Sequence, residues 1–82
     1  MLRSREEIDD MYETKNVERL HGISRVHFLF LFRISEGCCF AAIAEELEKT
    51  ERTLYFWRQL ITKKFRVNSF FQVMCEFGRE LI

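Results

Sequence analysis

The stretch Val26-His27-Phe28-Leu29-Phe30-Leu31-Phe32 limits what this chain can become more than any other. A near-solid apolar run of this length fits a buried strand, or a helix enclosed on most of its sides, and periodicity cannot separate the two. A strand needs a partner, and no second strand-like segment is available. A helix needs only length and two ends. Residues 23–36 supply the length and Ser24 a hydroxyl cap, while Gly37 stands where a left-handed residue is wanted after the last turn. The reading is therefore a helix over 25–36. Its apolar girth requires cover on more than one face, from the first helix and from the last helix or a second copy of the chain.

The remaining punctuation agrees. The 82 residues contain no proline and only Gly22, Gly37 and Gly78, whereas strand-rich folds of this size need many turn residues. The predicted fold class is all-α, a small helical bundle of about five helices forming one domain over 1–82. Ser4 and Glu7 have the S-x-x-E spacing of a capping box. A first helix follows over about 5–20, with Ile8, Met11, Tyr12, Val17 and Leu20 as its apolar positions and 14–16 as its weak point. A short third helix over 39–47 turns Phe40, Ile43, Ala44 and Leu47 inward. Thr50 caps a fourth that runs to about Lys64, with Leu54, Trp57 and Ile61 as its core stripe. Asn68 or Ser69 caps a last amphipathic helix over 69–82, with Phe70, Val73, Met74, Phe77 and Leu81 on one face.

Few residues suggest catalysis or metal binding. Cys38, Cys39 and Cys75 are odd in number and two are adjacent, a poor disulfide framework, and no Cys/His set has zinc spacing. Small thiols filling a helix junction are favoured over a redox switch. His21 and His27 lie apart from any Ser, Asp or Cys constellation, so no catalytic residue and no metal ligand is assigned, and no cofactor is called for. Glu6, Glu7, Asp9 and Asp10 read as a solvated face beside a helix N-terminus rather than a cation site. The charged start of the chain lacks the apolar core of a signal peptide, and 26–32 is too short to span a bilayer. The expectation is a soluble, non-enzymatic, cytoplasmic protein that makes no membrane contact, nucleoid-associated or nuclear according to its source.

Net charge is zero, yet its distribution is uneven. Between residues 49 and 66 stand Lys49, Arg52, Arg58, Lys63, Lys64 and Arg66, against Glu51 alone. Basic charge gathered on one element is what a polyanion-binding surface requires. The bland alternative is a solvated helix whose charge partners lie elsewhere on the surface. Ala44 lets the fourth helix cross close over the third, and Glu51, Arg52, Tyr55, Arg58, Gln59 and Thr62 then fall on the outer side by helical spacing.

The stretch EGCCFAAIAEELEKTERTLYFWRQL resembles the helix-turn-helix of bacterial and phage regulators, resolvases and transposases. The likeness covers about residues 34–60 and rests on Glu36-Gly37, Ile43-Ala44, Leu47, Thr50, Arg52-Thr53-Leu54 and Trp57. It implies that the helix starting near Glu51 is a recognition helix in the major groove of double-stranded DNA, in a small transcriptional regulator. Base contacts would come from Arg52, Tyr55, Arg58 and Gln59, and phosphate contacts from Lys49, Thr50, Thr53, Lys63, Lys64 and Arg66. The chain departs from the family pattern at three positions. Glu48 replaces a left-handed glycine at a cost on the order of 1 kcal/mol, Lys49 replaces an apolar plug, and Phe56 stands where a polar or basic residue is usual.

A homodimer is expected, because one recognition helix makes few base contacts and the aromatic surplus wants cover. Phe28, Phe32, Phe56, Phe70, Met74 and Phe77 are the candidate oligomer or partner surface. The alternative reading keeps the helix-turn-helix fold but grips a protein through Phe-rich faces, as an inhibitor or adaptor would.

Overall fold

The computed structural model describes residues 2–15 and 17–81. Five α-helices follow one another: α1 (Arg5–Thr14), α2 (Arg25–Ser35), α3 (Phe40–Leu47), α4 (Glu51–Lys64) and α5 (Phe70–Leu81). No strand occurs among the described residues. Four of the five helix starts are fixed where short polar side chains satisfy orphan N–H groups, α3 after Cys39 having no side-chain cap. Ser4 and Glu7 form the reciprocal capping box of α1, Ser24 Oγ accepts from the His27 N–H, and Thr50 Oγ1 accepts from the Thr53 N–H. At α5, Ser69 Oγ accepts from the Gln72 N–H while Gln72 Oε1 accepts from the Asn68 and Ser69 N–H groups.

The centre of the molecule is α2. Six consecutive side chains, Phe28 to Arg33, are buried, which a helix can manage only when neighbours cover its whole circumference. Aromatic rings show who covers it. Phe28 meets Tyr12 of α1 at 5.4 Å and Phe77 of α5 at 5.3 Å between centroids. Phe30 meets Phe40 of α3 and Trp57 of α4, both at 5.6 Å, and Phe70 of α5 at 6.3 Å. These tilted and edge-on contacts each add to the burial of large apolar area.

Two expectations are corrected. The first helix does not run to residue 20: α1 ends at Thr14, Lys15 is extended, and Val17–Leu20 forms a 3-10 turn. At 3.6 residues per turn, a continuous helix would aim Leu20 about a third of a turn away from Ile8. The break lets both side chains enter one core, each 1 % exposed. Asn16 of the expected weak point lies outside the described residues. The second correction concerns the partner surface. Phe28, Phe32 and Phe77 are core residues, because α2 and α5 present their phenyl rings to one another, Phe32 and Phe77 at 6.5 Å. Phe70 and Met74 are half-buried against the same core. Most of the aromatic surplus is consumed inside the chain.

A buried arginine absent from the sequence reading ties three segments together. Arg33, 6 % exposed, donates from Nε and Nη2 to the two carboxylate oxygens of Glu46 on α3, at 2.9 and 3.1 Å. Its Nη1 donates to Glu36 Oε1 at 2.8 Å and to the Arg3 carbonyl at 2.7 Å. Burial alone would lower the Arg33 pKa, but hydrogen bonds to Glu46 and Glu36 outweigh it and the net shift is upward. Such a cluster contributes through geometry, and removing Arg33 leaves Glu36, whose side chain is 13 % exposed, without its cation beside the core. Arg33→Ala should lower the unfolding free energy by roughly 3 kcal/mol, measured by urea denaturation.

The turn between α3 and α4 takes the form foreseen for it. Glu48 is left-handed (φ 56°, ψ 43°). The Lys49 N–H reaches the Ala44 carbonyl at 2.9 Å and the Glu48 N–H that of Glu45 at 3.3 Å, the paired bonds of a Schellman ending. A side chain in this conformation costs more than glycine does. Glu48→Gly should therefore raise stability by about 0.5–1 kcal/mol, visible as a higher midpoint in the same denaturation experiment. An unchanged or lower midpoint would contradict strain at this turn.

Candidate functional site

Leu54 and Ile61, each 0 % exposed, fix which side of α4 faces the core, with Trp57 half-buried beside them and Phe65 just beyond the helix. Helical geometry then places Arg52, Phe56, Gln59 and Lys63 on the opposite side, and all four are exposed. This outermost stripe differs from the one expected. Tyr55, Arg58 and Thr62 stand on its α5-side flank, and Leu60 is exposed on the other flank. The arrangement was available from spacing, since Phe56 stands two positions after Leu54 and five before Ile61. At 61 % exposure Phe56 is left uncovered within the chain, unlike the other aromatic residues of the candidate partner surface.

The flank next to α5 is an ordered stack. Tyr55 lies against Phe40 of α3, with ring centroids 4.9 Å apart. The Arg58 guanidinium sits 5.9 Å from the Tyr55 ring centre and 5.8 Å from that of Phe70. A cation over two ring faces is held in direction without losing its charge. Arg58 is thereby aimed rather than loose, between Tyr55 of α4, itself backed by Phe40 of α3, and Phe70 of α5.

The residues read as phosphate contacts divide into two groups. Lys49, Lys63 and Arg66 are exposed, Arg66 in a left-handed residue just past α4. Thr50 and Thr53 lie within hydroxyl–hydroxyl distance of one another at 3.1 Å, while Lys64 Nζ donates to the Gly22 carbonyl at 3.3 Å. Lys64 therefore leans toward the start of α2, away from the Arg58 side.

Elsewhere in the molecule four of the seven basic side chains sit beside carboxylates, while Arg5, Lys15 and Arg79 have none among the described residues. Arg3 pairs with Glu7, Arg19 with Glu80, Arg25 with Asp9 and Glu13, and Arg33 with Glu36 and Glu46. Among the described residues, none of Lys49, Arg52, Arg58, Lys63, Lys64 or Arg66 has a carboxylate as ion-pair partner. Among the described residues the positive window stays without carboxylate partners in three dimensions. The acidic residues of α1 are partly occupied: Glu7 in its capping box, where the Ser4 backbone bond and Arg3 hold its carboxyl below the usual value, and Asp9 and Glu13 around Arg25.

His27 borders this face. Its ring lies 4.9 Å from that of Trp57, in a shallow hollow with Leu60, Ile61, Lys63 and Lys64. Burial holds its pKa below the ordinary 6.5, and the Lys64 ammonium pushes the same way. A histidine with a depressed folded-state pKa contributes stability that is complete above its unfolded value and is lost as pH falls through the folded one. The fold should therefore weaken as pH drops below about 6.5, and His27→Gln should flatten that part of the stability–pH curve. NMR titration of the imidazole should give a midpoint below 6.5.

No family model matches the chain, and comparison with curated proteins and with solved structures yields no match either.

Proposed function

We propose that this chain is a non-enzymatic DNA-binding protein, a small transcriptional regulator in which α3, its turn and α4 act as a helix-turn-helix with α4 in the major groove. The observation that carries the reading is the uncompensated basic set on and around α4. Outside that window four of the seven basic side chains find carboxylates, whereas among the described residues the six of 49–66 find none. Phosphates are the ligand that such a surface lacks.

The supporting details agree in kind. At about 1.5 Å per residue, the 14 residues of α4 give a rod of roughly 21 Å, enough to lie along a groove about 12 Å wide. Its N-terminus is capped by Thr50 and favours anions. Arg52 and Gln59 sit on the outermost stripe with side chains suited to guanine and adenine edges. Arg58, aimed by Tyr55 and Phe70, would approach from the flank. Lys49, Lys63 and Arg66 would hold backbone phosphates. A homodimer belongs to the same proposal, because two such helices would read two half-sites where one reads few base pairs.

A second reading has one observation in its favour. Phe56 and Leu60 are exposed on the same side of α4, and a partner protein could cover them. Burial removes Phe28, Phe32 and Phe77 from such a surface, while Phe71 of α5 is 76 % exposed.

Binding to duplex DNA at low salt, followed as salt is added, separates the two. The DNA reading expects the logarithm of affinity to fall with that of salt with a slope of about −3.5 to −5.5, from four to six phosphate contacts. Arg52→Ala should cost about 1–3 kcal/mol and relax preference at one base pair, while Lys63→Ala should weaken all sequences alike and flatten the slope by about 1. Absence of binding, or equal losses on every duplex for both variants, refutes the assignment.

A further inference from the structure

The outermost stripe of α4 carries an apolar side chain where a purely electrostatic DNA surface has no use for one. Phe56 is 61 % exposed and Leu60 is 43 % exposed. They are successive positions on one side of the helix, i and i+4. Arg52 stands one turn before Phe56, and Lys63 about two turns after it. By helix rise the two cations are about 16 Å apart along the helix. With Arg52 on a base edge and Lys63 on a backbone phosphate, the phenyl ring between them, with Leu60 beside it, is brought against the neighbouring base edges.

Base edges in the major groove carry donors and acceptors, and one apolar group that unmodified DNA shows there: the 5-methyl of thymine. Phe56 has no donor or acceptor, so it cannot discriminate by hydrogen bonds, and against a polar edge it would be desolvated for little return. Against a methyl it removes apolar area from both partners. We infer that Phe56, assisted by Leu60, reads thymine methyl groups, so that the chain prefers A·T-containing sites through apolar contact while Gln59, on the same stripe, is placed to take up an adjacent adenine edge. The inference rests on the DNA-binding reading above. The cations on either side of Phe56, Arg52 and Lys63, favour this occupant over a neutral apolar peptide, which would leave both unanswered.

The test uses the full chain and two randomised duplex pools of identical sequence content. One contains thymidine, and the other contains deoxyuridine at every thymidine position, which removes only the methyl. Burying one methyl-sized group is worth about a factor of four in affinity. Wild-type protein should therefore bind the thymidine pool several-fold more tightly, and Phe56→Ala should bind both pools alike, at a level near that of wild type on deoxyuridine. Phe56 is at the surface, so the variant should keep the wild-type circular dichroism spectrum and unfolding midpoint. Tight, salt-sensitive binding that is equal on the two pools overturns the thymine inference and leaves the DNA reading standing. No binding to either pool at low salt overturns both. In that case, saturable binding of an acidic amphipathic peptide that is lost in Phe56→Ala would identify the same surface as a protein-docking face.

Discussion

Everything in this fold is arranged around the need to remove α2 from water. Six neighbouring side chains on a helix point in every direction, so burying Phe28 to Arg33 demands neighbours all round the rod. Four other helices meet that demand through rings: Tyr12, Phe40, Trp57, Phe70 and Phe77 all reach Phe28, Phe30 or Phe32. For an 82-residue chain, near the lower size limit for folding on a hydrophobic core alone, this concentration of aromatic burial offsets a poor ratio of volume to surface. It also leaves little apolar surface over. The exposed Leu2, Val26, Tyr55, Phe56, Leu60 and Phe71 are exceptions to a general economy of burial.

Packing by rings alone would leave the axial placement of α3 loosely set, because apolar contacts are not directional. Arg33 supplies direction. Its fork holds Glu46 on α3 at two oxygens, and its remaining nitrogen binds Glu36 and the Arg3 carbonyl. Planar, bidentate geometry of this kind fixes orientation as well as distance. The start of α1, the end of α2 and the middle of α3 are thus pinned at one point. Since α4 crosses α3 directly after the left-handed Glu48, the orientation of its outer face follows from that pin and from the burial of Leu54 and Ile61. The proposed DNA-facing surface is held by its core contacts and by a rigid turn, with only the side chains left free.

That surface mixes two kinds of chemistry. The cations around α4 are uncompensated by carboxylates, while a phenyl ring occupies the middle of the stripe between Arg52 and Lys63. Long-range attraction to a polyanion and short-range apolar discrimination are separable functions. The first is sensitive to salt and indifferent to sequence, and the second is the reverse. Arg58 belongs to both, since it is a charge held in place by two rings.

Much of this was legible in the residues taken in order. The capping hydroxyls of Ser4, Ser24 and Thr50, the left-handed positions at Gly37 and Glu48, and the 3.6-residue spacing of Leu54, Trp57 and Ile61 are local signals, and they mark helix ends and faces correctly. Local signals fail where a decision depends on something distant in sequence. Whether Phe28, Phe32 and Phe77 face a partner or each other depends on where α5 returns. Whether Arg33 is solvated or buried depends on Glu46, 13 residues away, and on the Arg3 carbonyl, 30 away. The break after Thr14 is decided by Ile8 and Leu20 both entering one core. Helical propensity, caps and spacing act within a few residues and are written in the chain; the choice of which apolar faces meet, and so which one stays open to water, is a collective minimum of buried area that only the packed structure decides.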